Sequence, residues 1–248
     1  MRAICLWSGP RNVSTALMYS FAQRADCRVI DEPLYGHYLR VTGAAHPGRD
    51  EVMRTMDCDG DAVMRSLLRS GDATDRPLLF MKHMAHHLVD IDLGFLQQTT
   101  NIFLIRDPRE MLPSLAVQLP EATLSDTGLA MQADLCRRLA AEGKYPAVID
   151  SRELLLDPPF VLRQLCVYLG IAFDECMLRW SAGGRPEDGV WAKYWYQAVH
   201  RSTGFSRYVR KTGFPARLES LLAECRPHYE SLVRHAIRAP VGEARVRA

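Results

Sequence analysis

The sequence predicts an α/β protein, a three-layer sandwich with a central, mainly parallel sheet covered by helices on both faces. Short apolar runs such as Ala3 to Trp7, Leu78-Leu79-Phe80-Met81 and Ile102-Phe103-Leu104-Ile105 have the length and content of buried strands. Longer amphipathic stretches alternate with them, which implies right-handed βαβ crossovers and places ligands at the carboxyl ends of the strands. With 248 residues and 48% hydrophobic content the chain can bury a full core, and we expect one domain over 1–248 with a flexible tail from about 240 to 248.

The first strand, Ala3 to Trp7, is broken by Ser8-Gly9-Pro10 and followed by a helix over about Val13 to Arg24. A second strand spans Arg28 to Asp31, an irregular polar stretch runs to Arg49, and a helix covers about Glu51 to Ser70. Pro77 to Lys82 form a strand, Ile91 lies near a helical turn, and another strand ends at Ile105. Asp107-Pro108 then reads as a helix cap and first helical residue, since proline tolerates the position where no amide partner exists. A helix over about Asp126 to Glu142, a strand at Ala147 to Asp150, and helices at Pro158 to Leu169 and about Pro215 to Ile237 complete the order. The segment from Ala182 to Phe214 is rich in glycine, arginine and aromatic residues and reads as a substrate lid.

The 31 basic and 29 acidic side chains leave a formal charge of +2, too balanced for a nucleic-acid binder, whose phosphate contacts demand a basic excess. Seven cysteines without a C-x-x-C pair argue for reduced thiols rather than disulfides or zinc. The apolar N-terminal run is too short for a signal-peptide core or a membrane span, so a cytoplasmic location is expected. The sequence does not specify an oligomeric state.

Two segments carry anion chemistry. Ser8-Gly9-Pro10-Arg11-Asn12-Val13-Ser14-Thr15 lies between the first strand and helix, where backbone amides, two hydroxyls and Arg11 can cradle a phosphate or sulfate. It lacks the glycine and lysine of a Walker loop, and the strand ending at Ile105 is followed by Arg106 rather than by an acid that would hold magnesium. In the second, Arg106 sits at a strand tip and Ser114 one to two helical turns further on, so a guanidinium fork and a hydroxyl can converge on one oxyanion. The ordinary alternatives are a capped helix for the first and an arginine paired with Asp107 or Glu110 for the second.

Together the segments resemble sulfotransferases that use 3'-phosphoadenosine 5'-phosphosulfate (PAPS), and the resemblance covers roughly residues 3 to 180. Pro10, Arg11, Asn12, Val13, Ser14 and Thr15 take the places of that family's 5'-phosphosulfate loop, with Arg11 for its lysine and Val13 for its glycine. Arg106 and Ser114 match its 3'-phosphate motif in type and spacing, and Val148 to Pro158 with Leu169-Gly170 resembles a third family segment. The resemblance implies a P-loop NTPase-like sulfotransferase fold, PAPS as donor with no metal, and a small-molecule acceptor. The wording around Trp7 to Arg11, Asp31 to Tyr35 and Ser202 to Phe205 is similar to a branch sometimes labelled aminotransferase-like, though no pyridoxal-phosphate fold supports that label.

Sulfuryl transfer requires in-line positioning and neutralisation of leaving-group charge, for which Arg11 and Lys82 are candidates. The family carries a lysine at the strand end where Lys82 stands. A base must reach the acceptor proton, and Glu32 and His83 compete, with His86 and His87 nearby. The resemblance favours Glu32, because several family members place a glutamate base there and the histidine pattern is out of register by one residue. His83, His86, His87, Asp90 and Asp92 offer a weaker metal-binding alternative without a clear third ligand. Gly189 to Lys193 resembles the family's C-terminal cofactor loop, and Arg201, Ser202 and Gly204 are further candidates for the 3'-phosphate end. Two competing functions are a P-loop kinase-like nucleotide enzyme, disfavoured by the missing Walker lysine and acid, and a nucleotide-binding module without transfer activity. The joint presence of Arg11, Lys82 and Glu32 argues against the second.

Overall fold

A computed structural model describes residues 1–69 and 76–239. Its centre is a sheet of six strands, β1 (Arg2–Ser8), β2 (Cys27–Asp31), β3 (Leu78–Met84), β4 (Thr100–Ile105), β5 (Ala147–Asp150) and β6 (Ala236–Ile237). They lie in the order β2-β3-β1-β4-β5-β6, with every neighbouring pair parallel. From β1 the chain crosses to β2 at the edge, returns to place β3 between them, and then crosses β1 to add β4, β5 and β6 on the other side. The order therefore reverses at β1, and a reversal of this kind opens a crevice at the carboxyl ends of the strands.

Helices cover both faces, as the sequence predicts. On one face α1 (Ser14–Ala22) and α9 (Pro158–Leu169) bury Leu17, Phe21, Val161 and Leu165 against Ile4, Leu6, Phe80 and Leu104. On the other, α4 (Gly60–Arg69), α7 (Leu129–Ala141) and α12 (Glu219–Val233) pack Met64, Leu135, Leu139 and Leu232 against Cys5, Trp7, Met81 and Phe103. Alternate strand residues supply the two faces, the period-two pattern of a sheet buried on both sides.

Several boundaries differ from the sequence reading, each for a local reason. The helix expected over Glu51 to Ser70 is two helices, α3 (Arg49–Thr55) and α4, because the Asp57 and Asp59 carboxylates accept from the amides of Asp59 and Ala62 and so replace helical hydrogen bonds with turn ones. Ser70, the end of that expected helix, lies outside the described residues, as does the tail from 240 to 248. The stretch before Arg49 contains α2 (Tyr35–Thr42), which stops at Gly43 with φ +68°. The helix expected over Asp126 to Glu142 is divided into α6 (Leu124–Thr127) and α7 by Gly128 at φ +71°. The last helix ends at Val233, since Ala236 and Ile237 pair with Val148 and Ile149 of β5. Around Ile91 the helical turns lie on either side, at Ala85–His87 and Leu93–Gln98.

Over the carboxyl ends lies α5 (Pro108–Gln118), capped by Asp107 with Pro108 in its first turn as anticipated. A satellite cluster of Tyr35, Tyr38, Leu39, Val52, Trp191 and Tyr196 joins α2 and α3 to α10 (Ala192–Trp195) of the glycine-rich segment. Within that segment Trp191 and Tyr196 are buried, so part of the expected lid is packed core. Gly9 is held where β1 meets the α6–α7 junction, and a Cβ there would lie 2.4 Å from the Thr127 carbonyl oxygen. Gly9→Ala is therefore expected to force backbone apart and cost about 1–3 kcal/mol, the usual range for overpacking, read as a lower urea midpoint.

Candidate active site

The loop between β1 and α1 folds over the tip of the sheet with Arg11 in the left-handed region, at φ 57°. Asn12 anchors it by donating from Nδ2 to the Leu104 carbonyl at 2.9 Å, tying the loop to β4. The first turn of α1 has no side-chain cap, and the amides of Arg11, Asn12, Val13, Thr15 and Ala16 donate to no acceptor among the described residues. These are the free N–H groups that an anion satisfies at a helix start.

Arg106 and Ser114 meet this loop. Arg11 Nε donates to Ser114 Oγ at 2.9 Å, and Arg106 donates to the Arg11 carbonyl at 2.9 Å. The ordinary pairing of Arg106 with Glu110 is present but long, at 3.4 Å, and Arg106 Nε is buried with no partner. Glu110 is further occupied by Tyr208, whose hydroxyl donates to it at 2.5 Å. Lys211 donates to the Glu110 carbonyl at 3.3 Å and was not anticipated from sequence. Burial and the charge of Arg106 lower the pKa of both Arg11 and Lys211. Arg11 and Lys211, each with its charge disfavoured by burial and by Arg106, stand around orphaned donors and form a site whose electrostatics favour an anion.

The tips of β2 and β3 carry the second half. Lys82 is almost fully buried, and its ammonium donates to Asp31 Oδ1 at 2.8 Å, Glu32 Oε1 at 2.5 Å and Tyr196 Oη at 2.7 Å. Tyr196 in turn donates to Asp31 Oδ2 at 2.7 Å and accepts from Trp191 Nε1 at 3.2 Å. Glu32 stands at φ 42°, a conformation rare for a residue with a side chain, and is held there by hydrogen bonds from its own amide to the Lys82 carbonyl and from the Tyr35 amide to its carbonyl. Burial raises the Glu32 pKa, Lys82 opposes that, and the neighbouring Asp31 adds to it. For Lys82 burial works against the charge, but Asp31 and Glu32 outweigh it and the pKa is raised. Asp31 and Tyr196 were not singled out as site residues. The Asp31-Glu32 pair at a strand end was the available signal, whereas nothing in the sequence links Tyr196 to it.

Loop, clamp and buried cluster line one cavity of about 430 Å³ that takes in Pro10 to Thr15, Glu32, Lys82, Arg106 and Ser114. Two expected residues are elsewhere. His83 lies within β3, which extends to Met84, so strand alternation turns its ring to the opposite face from Lys82. There it stacks on Trp7 at 4.4 Å, with both ring nitrogens buried and unpartnered and its pKa lowered by burial and by Lys82 to about 3. Arg201 is exposed and outside the cavity, because Trp180 Nε1 donates to Ser202 Oγ at 3.0 Å and fixes that turn with Ser202 and Gly204 facing inward. Gly189 approaches Asp31, its amide 3.4 Å from Oδ2, so the segment resembling a cofactor loop sits at the buried cluster rather than beside Arg106. His86 and His87 do line the cavity. Among the described residues no three His, Cys, Asp or Glu side chains are grouped to hold a metal ion.

The model of the sulfotransferase domain matches residues 1–236. The chain belongs to the sulfotransferase-domain family. Its fold agrees with solved sulfotransferases at low identity. The sulfotransferase domain of the olefin synthase from Synechococcus PCC 7002 is 17% identical, with a TM-score of 0.57 over 90% of this chain and 94% of that one. A sulfotransferase from Alicyclobacillus acidocaldarius is 16% identical, with a TM-score of 0.56 over 97% of each chain. In sequence the chain is similar to two Arabidopsis thaliana proteins named branched-chain-amino-acid aminotransferase-like protein 2 and protein 1. Identity is 39% over 239 residues and 41% over 233, covering 95% and 92% of this chain. The sulfotransferase chain spans only 42% and 41% of the length of those relatives. Family and fold together support a transferase of the sulfotransferase type. No helix among the described residues is long and apolar enough to cross a membrane.

Proposed function

We propose that the protein moves a sulfuryl group from PAPS to a hydroxyl or amine of a small-molecule acceptor. The observation that carries this reading is the junction of Arg11, Arg106 and Ser114 beside unpartnered loop amides, in the same cavity as Glu32 and Lys82. A donor with phosphates at both ends of its ribose fits it. The amides of the β1–α1 loop with Ser14 and Thr15 take the 5'-phosphosulfate, while Arg106, Ser114 and Lys211 take the 3'-phosphate. The orphaned Arg106 Nε supports that fit, because a buried unpaired donor is costly unless a ligand completes it.

PAPS supplies an activated sulfuryl group with an anionic leaving group. Glu32, with Oε1 on Lys82 and Oε2 without a protein partner among the described residues, faces the cavity and takes the acceptor proton. The acceptor oxygen or nitrogen bonds to sulfur as the bond from sulfur to the 5'-phosphate oxygen breaks, leaving 3'-phosphoadenosine 5'-phosphate. Arg11 and Lys82 hold positive charge beside the group in transfer, which stabilises the loose, charge-spread transition state of such reactions.

Calorimetry with 3'-phosphoadenosine 5'-phosphate and with ADP tests the donor. The 3'-phosphate compound should bind more tightly, and Arg106→Ala should weaken it about ten- to a hundredfold, the equivalent of one charge-assisted contact, with a smaller effect on ADP. Equal binding of the two ligands, or a preference that survives the substitution, would falsify the assignment.

A further inference from the structure

Beyond Glu32 the cavity ends against Tyr35, His46, His86, His87, Asp126 and Trp191. These rings are fixed against one another. His87 stacks on Tyr35 at 5.0 Å and on Tyr38 at 4.6 Å, His86 meets His87 edge-on at 4.6 Å, and Trp191 meets Tyr35 edge-on at 5.1 Å. His46 is tied in through a 2.9 Å hydrogen bond between its Nδ1 and the Tyr35 hydroxyl. The Nδ1 atoms of His86 and His87 are buried without a partner, and neither ring makes any other hydrogen bond among the described residues. His87 is 2% exposed, so this is a buried polar group bordering an open cavity. Burial lowers His86 to about 4, His87 well below its usual value and His46 below it as well, so the three imidazoles are neutral at physiological pH.

The charge at this end is negative. Asp126 Oδ2 is occupied by the helix cap, accepting from the Thr123 amide at 2.8 Å and hydroxyl at 2.7 Å, whereas Oδ1 has no donor among the described residues. Lys82 is already shared between Asp31 and Glu32. The remaining lysine or arginine side chains that line the cavity, among the described residues, are Arg11 and Arg106 at the donor end.

We propose that the acceptor is an alcohol or phenol that also carries a protonated amine, with its ammonium on Asp126 Oδ1 and its hydroxyl at Glu32. This rests on the sulfotransferase reading above. Neutral imidazole nitrogens accept from N–H groups, aromatic edges and faces tolerate an organic cation, and a free carboxylate oxygen completes the charge. A carboxylate-bearing acceptor meets the Asp126 carboxylate there, and the cation beside Glu32, Lys82, is already shared between two acids. Asp126 is thus a specificity-determining residue for the acceptor.

Three phenols that differ only in the tail test this: tyramine, 4-ethylphenol and 3-(4-hydroxyphenyl)propionate, titrated into the full chain loaded with 3'-phosphoadenosine 5'-phosphate. Tyramine should bind best and the propionate worst. Asp126→Asn, which keeps an oxygen for the helix cap, should reduce the ratio of tyramine to 4-ethylphenol affinity about tenfold, as expected for loss of one charge-assisted contact. Thermal unfolding of the variant checks that the cap survives. Equal affinities, tighter binding of the propionate, no binding of any phenol, or a ratio unmoved by Asp126→Asn overturns the inference. If 3'-phosphoadenosine 5'-phosphate itself fails to bind, the donor reading falls and this inference with it. If it binds and no amine preference appears, only this inference falls.

Discussion

Replacing Glu32 by glutamine should lower turnover about a thousandfold, within the roughly 10²–10⁴ that a positioned general base contributes, while donor-product binding stays close to wild type. Glutamine keeps an oxygen for Lys82 and nearly the same volume, so the buried cluster survives and only the proton acceptor is lost. The wild-type pH profile carries the same information. Glu32 accepts a proton only when ionised, and burial with Asp31 beside it holds its pKa above the ordinary carboxylate range despite Lys82. The rate should therefore fall as pH drops through that raised value, and the acidic limb should vanish in Glu32→Gln together with most of the activity. A variant that retains near-normal turnover and the same limb would move the base to His86 or His87. His83 is not a substitute, since its ring lies on Trp7 across the sheet.

What the sequence made legible follows from which signals are local. The sheet and its two covering layers come from apolar runs whose strand character does not depend on distant partners, and the donor loop and clamp from residues a few positions apart on a strand tip and the helix after it. The buried cluster is a different case. Lys82 and Glu32 were legible singly, but their union with Tyr196 spans 114 residues from Lys82 and depends on the 182–214 segment folding back over α2. His83 shows the opposite failure, a residue assigned by nearness in sequence to Lys82. In a strand, adjacent residues face opposite ways, and extending β3 by two residues moved His83 into the far layer. Arg201 was matched by residue type alone, and the cation that the fold brings to the clamp instead is Lys211.

Lys82→Met should be the most destabilising single change in the site. In the folded chain the Lys82 ammonium is the nearest countercharge to two buried carboxylates, at 2.8 Å from Asp31 and 2.5 Å from Glu32. Methionine fills the volume but strands both acids, and breaking a buried pair in this way costs about 3–5 kcal/mol, far above the roughly 0–1 kcal/mol of an exposed pair. The loss should depend on pH with a definite sign. Without Lys82 the buried Glu32 carboxyl beside Asp31 loses the charge that opposes its raised pKa, so its folded-state value rises further above that of the unfolded chain. Protonation then relieves the folded state, so the deficit relative to wild type should be largest near neutral pH and shrink as pH falls through the carboxyl range. Urea denaturation at pH 5 and pH 8 measures this, and Lys82→Met combined with Asp31→Asn should recover part of the loss by removing one of the stranded charges. If Lys82 were an ordinary strand-end lysine, the single variant would lose less than about 1 kcal/mol with no dependence on pH, and the second substitution would only add to the damage. Recovery by the second substitution would mean that the lysine proposed to serve the sulfuryl group is also the residue that makes a two-acid strand tip foldable, so that the proposed base and its neighbour persist in the core because Lys82 is there.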